Sequence, residues 1–231
     1  MNDRLRSRHE VAAREPLRLR NLRLPFAVRL TARRGAHRLS SDRRSGILSE
    51  GASLVLPVYH ALHYEGATIV DVRAGHELHL SIYDQTPEAA SGGDANTAAA
   101  RRCTDADPAL TTRLARAVFL NPAADWTPCG AAAHVGMTIG ALKTQLFREG
   151  SALTATVREQ RLMRALLELL TPPPAWGRDM GHLAVQVGLT PHARLDEIFL
   201  RHFGCCAAQL ARLSWCPALT WSIAPTLHLI H

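Results

Sequence analysis

The feature that most restricts how this chain can fold is an internal repeat. Ala132–Ala133–His134–Val135–Gly136–Met137–Thr138 recurs fifty-two residues later as Ala184–Val185–Gln186–Val187–Gly188–Leu189–Thr190, and each copy runs on into a second helical segment closing near a phenylalanine and a glycine. Repetition of this kind marks two copies of one supersecondary unit. A small residue, Ala132 or Ala184, lets two helices cross closely. Gly136 or Gly188 supplies the left-handed backbone that ends the first helix, so each copy reads helix, turn, helix. Thr127 is placed to cap the first helix of unit one with Pro128 at its first position, and Thr138 and Thr190 to cap the two projecting helices.

The projecting helices carry the candidate recognition surface. In the first, Leu142 and Leu146 share an inward face with Val135, which leaves Ile139, Gly140, Lys143, Thr144 and Phe147 at helical spacing on the other side. Lys143 and Thr144 are suited to base edges in a major groove and Arg148 to phosphate. In the second, Leu195 and Phe199 point inward, leaving His192, Ala193, Arg194, Asp196 and Glu197 outside, with Arg194 and His192 as the readers. A helix over about 154–170, striped by Leu162, Leu166, Leu169 and Leu170, joins the units and sets their spacing. Arg158, Arg161 and Arg164 lie off that stripe, on a face that is either solvated or, with Arg161 foremost, turned to phosphate.

The remainder of the chain divides by composition. Residues 1–45 hold thirteen arginines, interrupted by Pro16 and Pro25, and read as a basic arm that is solvated or touches DNA phosphates. Residues 46–88 turn to strand patterns: Leu54–Leu56 before Pro57, Thr68–Val72, and Leu78, Leu80 and Ile82 alternating with Glu77, His79 and Ser81. Residues 89–108, rich in Ala, Gly, Ser and Asp, read as a linker. The helical domain spans 109–213. A tail from Ser214 to His231 carries Trp215, Trp221, Leu227 and Ile230, suited to packing on the N-terminal module or a partner. The expected fold is therefore mainly α, with a small β-containing N-terminal module and an all-α double helix-turn-helix domain.

Charge and cysteine content narrow the partners. The net charge of +7 and pI near 9.8 favour anionic partners. The excess lies mostly outside the helical domain, because residues 104–213 carry eleven basic against nine acidic side chains. Cys103, Cys129, Cys205, Cys206 and Cys216 form no C-x-x-C pair, which argues against a zinc finger or a disulfide framework and for reduced thiols in a cytoplasm. The sequence shows neither an apolar run long enough for a membrane span nor a signal-peptide pattern.

Trp126–Thr127 through Gly150, the helix TVREQRLMRALLELL, and GLTPHARLDEIFLRHFG at 188–204 together resemble the DNA-binding domain of the AraC/XylS family. The resemblance covers about 109–213. It implies two recognition helices in successive major grooves on one face of double-stranded DNA. It also implies transcription activation beside RNA polymerase, and an N-terminal cupin-like β module for an effector or for dimerisation. The chain departs from the family pattern at Asp196 and Glu197, which place negative charge where phosphate would lie. Cys205–Cys206–Ala207 replaces a proline-bearing segment, and Gly130 and Gly181 sit inside the first helices at roughly 1 kcal/mol each relative to alanine. These departures favour a rival reading, an antagonist that binds protein and has little affinity for DNA.

His60, His63, His76 and His79 invite a metal reading, but residues three apart on a strand point to opposite faces, so neither pair chelates one ion locally. No nucleophile, phosphate-loop or metalloprotease motif occurs, and neither an enzyme nor a cofactor is expected.

Overall fold

The computed structural model describes residues 17–41, 44–66, 76–83, 109–171, 179–189, 194–213 and 219–223. Thr68–Val72, the expected linker, and His192 and Ala193 lie outside the described residues.

The N-terminal module is larger than the sequence reading allowed. Residues 17–41 form strands rather than an arm: β1 (Arg18–Leu22), β2 (Val28–Arg34) and β3 (His37–Ser41). The reason is period-two patterning, interrupted once in β1 by a register shift between Leu19 and Leu22. Leu17, Leu19 and Leu22, then Val28, Leu30 and Ala32, then His37 and Leu39 are buried. Arg18, Arg20, Arg33 and Arg38 are exposed. Alternation puts one set on the core face of a sheet and the other in water. Four strands follow, β4 (Arg44–Leu48), β5 (Ser53–Leu56), β6 (Leu62–Glu65) and β7 (His76–Ile82); β5 and β7 fall on the runs Leu54–Leu56 and Leu78–Ile82 read from the sequence, while β4 and β6 fall on none of the runs named there.

A last strand, β8 (Leu219–Ile223), comes from the tail and pairs in parallel with β7, which adds these five residues to a sheet of the N-terminal module. The strands make two four-stranded sheets, ordered β1-β6-β3-β4 and β5-β2-β7-β8.

Among the described residues the C-terminal part holds seven helices, α1 (Leu110–Leu120), α2 (Pro128–Val135), α3 (Ile139–Arg148), α4 (Leu153–Leu170), α5 (Met180–Gln186), α6 (Leu195–Phe203) and α7 (Ala207–Leu213). None of the described helices is long and apolar enough to cross a membrane.

The cores divide unequally. Leu162, Met163, Leu166, Leu167 and Leu170 of α4 join a single apolar cluster with the sheet residues and with Leu183, Leu195, Phe199 and Phe203 of the second helix-turn-helix unit. The first unit has its own smaller core of Leu110, Leu114, Ala131, Ala132, Leu142 and Leu146. Each leucine so buried contributes roughly 1.5–3 kcal/mol relative to exposure. The second unit and the β module are thus stabilised together, and the first unit largely by itself.

Polar contacts reinforce the seam between module and helices. The Tyr59 hydroxyl donates to Glu159 at 2.8 Å, Gln160 Nε2 donates to the Arg23 carbonyl at 3.2 Å, and Asn21 Nδ2 donates to the His202 carbonyl at 2.9 Å. Among the described residues Asn21 and Tyr59 are also the non-glycine ones with positive φ, 55° and 59°. Such backbone is uncommon outside glycine and persists where surrounding contacts hold it. Phe26 meets Phe119 edge-on at 5.4 Å, which extends the seam to α1.

Candidate nucleic-acid interface

In the first unit the local chemistry follows the sequence reading closely. Thr127 Oγ1 accepts from Gly130 N at 3.3 Å at the start of α2, with Pro128 at the first position. Gly136 is left-handed at φ 68°, and Met137 N closes on the Ala132 carbonyl at 2.9 Å. Thr138 Oγ1 accepts from Ala141 N at 3.2 Å and starts α3. Satisfying these free N–H groups fixes where each helix begins.

Because Leu142 and Leu146 are buried, α3 presents Ile139, Gly140, Lys143, Thr144, Phe147 and Arg148 outward. Phe147 is 82% exposed and Ile139 40%. A helix with one buried stripe and a projecting face that mixes small, polar and cationic residues with the apolar Ile139 and Phe147 has the form of a helix that enters a major groove.

Glu149, just past α3, was missed by sequence reasoning. Its carboxylate accepts from Leu110 N at 3.0 Å, Thr111 N at 2.7 Å, Thr111 Oγ1 at 2.7 Å and Gln145 Nε2 at 2.9 Å. It caps α1 from across the unit, because Ala109 at the N-cap position has no side chain to do so. Burial alone would raise the Glu149 pKa. The hydrogen bonds from the Thr111 side chain and backbone, from Gln145 and from Leu110 outweigh it and hold the carboxyl below its usual range. Sequence offered no signal, since the donor and acceptor lie 38 residues apart.

Gly130, counted from sequence as a helix weakness, is a requirement: a Cβ there would run into the Asp125 carbonyl.

The second unit repeats the turn. Asp179 caps α5 through Gly181 N at 2.8 Å, Gly188 is left-handed at φ 72°, and Leu189 N reaches the Ala184 carbonyl at 2.8 Å. The N-cap of α6 is Arg194, with no side-chain cap bond, rather than Thr190 as the sequence reading had it, and Thr190 lies outside the described residues; Arg194 is exposed and donates to Glu197 at 2.9 Å. Asp196 accepts from Ala208 N at 2.8 Å and so caps α7. The two acidic residues that stand out in the sequence therefore have local jobs: one holds the following helix, the other neutralises its neighbour.

The arginines of α4 sort into three kinds. Arg161 is half-buried and donates to the Pro122 carbonyl at 2.8 Å and the Ala124 carbonyl at 3.2 Å, so its guanidinium ties the α1–α2 connection to α4 rather than standing free for phosphate. Arg164 is buried, paired with Glu168 at 3.1 Å and placed over the Phe119 ring at 5.7 Å, which corrects the expectation of a solvated face. Arg158 alone of the three is exposed.

A pair of helix-turn-helix units on a shared helix, fused to a two-sheet module, defines a class of architecture, the one implied by the AraC/XylS resemblance. No protein-family model matches the chain, and no curated protein does. Among solved structures, unsaturated fatty acid-bound wild-type ToxT from Vibrio cholerae strain SCE256 aligns over 88% of this chain and 92% of its own, at 8% identity and TM-score 0.53. ToxT from Vibrio cholerae O395 aligns over 88% and 95% at 10% identity and TM-score 0.53. The same protein bound to (E)-4-(8-methylnaphthalen-1-yl)but-3-enoic acid aligns over 85% and 96% at 10% identity and TM-score 0.51. The chain shares the fold of ToxT along most of its length.

Proposed function

We propose that the protein is a cytoplasmic, sequence-specific DNA-binding transcription regulator, an activator working beside RNA polymerase, that reads the major groove chiefly through α3. The observation that carries this reading is the outward face of α3, where Gly140, Lys143 and Thr144 project beside Arg148 from a helix whose opposite side is buried. Gly140 has open space around it, so backbone there can approach a base pair closely. In the second unit Arg194 shares its charge with Glu197, which suits positioning better than base readout.

A small-molecule effector and homodimerisation are assigned to the β module. An effector would enter the apolar seam between the sheets and α4. That seam now encloses about 30 Å³ beside Phe26, His60 and Met163, whereas ligand sites run to roughly 300–1,000 Å³. Binding would therefore open the seam and move α4, which both units share.

A second reading, a protein-binding antagonist, is favoured by the large exposed apolar surface of Phe147 and Ile139 on α3. Genome-wide footprinting of the tagged protein beside a Lys143→Ala, Thr144→Ala variant at equal expression separates the two. Discrete peaks sharing a motif, lost in the variant, are expected; no peaks above background would overturn the regulator in favour of the antagonist.

A further inference from the structure

Between the two helix-turn-helix units lies a cleft of about 930 Å³. Phe147 at the end of α3, Arg158 on the second turn of α4, and Arg201 and His202 at the end of α6 line it, and Arg23 and Tyr59 of the β module complete it. The cleft therefore joins the two candidate reading helices across their shared helix.

Its charge is not what a count would give. Three arginines stand against two carboxylates, Glu149 and Glu159. Both carboxylates are committed. Glu149 caps α1, and Glu159 takes the Tyr59 hydroxyl at 2.8 Å and pairs with Arg23 at 3.5 Å. Arg158 and Arg201 are exposed and make no ion pair among the described residues. His202 Nε2, in the same wall, is buried without a hydrogen-bond partner. What remains open to a ligand is a pair of guanidinium groups and a concave wall free of uncommitted acid.

We infer that Arg158 and Arg201 clamp the phosphodiester backbone that crosses between the two major grooves, so that the cleft is a sequence-independent anchor for DNA. The inference rests on the DNA-binding reading above. A duplex engaged by both units carries a stretch of backbone between the two grooves, and the clamp places that stretch at the mouth of the cleft, which is lined by the ends of both candidate reading helices. Guanidinium groups match phosphate oxygens in geometry as well as charge, and contacts of this kind position a duplex without reading it.

The test uses the full chain and the duplex that it enriches from a random-sequence pool, followed by anisotropy titrations from low to moderate salt and by hydroxyl-radical protection. Each neutralised phosphate adds about 0.9 to the salt slope. Arg158→Ala, Arg201→Ala should therefore reduce the slope by about 1.8, weaken the enriched and a base-scrambled duplex by the same factor, and lose protection of the backbone between the grooves. Arg158→Lys, Arg201→Lys should keep most of the slope. Unchanged slope and protection in the alanine variant would overturn the clamp while leaving the regulator intact. A changed ratio between enriched and scrambled duplex would also overturn it, since the arginines would then be reading bases. A wild-type chain that enriches no duplex would overturn the DNA-binding reading itself. Both side chains are exposed, and thermal melts matching the wild type confirm that the variants compare binding alone.

Discussion

Replacing Glu149 by alanine isolates the one side chain that ties both ends of the first unit together. The carboxylate satisfies two backbone N–H groups at the start of α1 and the Thr111 hydroxyl, with Gln145 as a fourth donor. Losing a helix cap costs about 1 kcal/mol, and hydrogen bonds to a charged group are each worth about 1.5–3 kcal/mol when intact. Water replaces part of this at a half-buried site, so the net loss should be about 2 kcal/mol. For a chain of this size that is a fall of roughly 4–8 °C in Tm. The smaller core of the first unit should show the loss first, as earlier amide exchange in α1 and α3 than in α4.

The pH dependence gives a sharper check. The folded pKa of Glu149 lies below its unfolded value of about 4.3, so its contribution is fully present above that value and is lost as pH falls through the folded pKa. The stability gap between wild type and Glu149→Gln, measured by urea unfolding, should be constant from pH 7 to about pH 5 and close below about pH 4. A gap that persists unchanged under acid, or one below about 0.5 kcal/mol at pH 7, would refute the reasoning.

Two further outcomes are expected. Gly136 and Gly188 are both left-handed, but Gly136 faces open space whereas a Cβ at Gly188 would meet the Pro122 carbonyl and the Arg161 guanidinium. Gly136→Ala should therefore cost about 1 kcal/mol from backbone strain alone and Gly188→Ala clearly more, by denaturant unfolding; equal costs would show that the Arg161 tie is not rigid. Burial, reinforced by repulsion from His76, lowers the pKa of His37, whose ring nitrogens bond the Tyr64 hydroxyl at 3.2 Å and the Arg34 carbonyl at 3.1 Å. Below about pH 6.5 the unfolded chain takes up a proton that the folded one refuses, so stability falls with pH there. His37→Gln should flatten the difference in urea midpoint between pH 7.5 and pH 5.5, and an identical difference would remove His37 as its source.

The amino-acid sequence by itself determined the helix-turn-helix units, because their signals act within a few residues. Thr127 and Thr138 bond the third residue on, Gly136 and Gly188 end their helices in place, and Leu142 and Leu146 choose the buried face of α3. The strands of residues 17–41 were equally local and equally legible in the alternation of Leu17, Leu19, Val28, Leu30 and Leu39 with arginines, but the density of positive charge concealed a period-two pattern.

Tertiary structure alone decided the rest. Whether Arg161 faces solvent or the Pro122 carbonyl, whether Asp196 opposes a phosphate or caps α7, and that Glu149 caps α1, all depend on which distant groups the folded chain brings within 3 Å. The same holds for β8, whose partner β7 lies more than a hundred residues earlier. Charged side chains and strand edges carry strong hydrogen-bonding capacity but no record of their partners in neighbouring residues, so their roles emerge only once the apolar pattern has packed the chain.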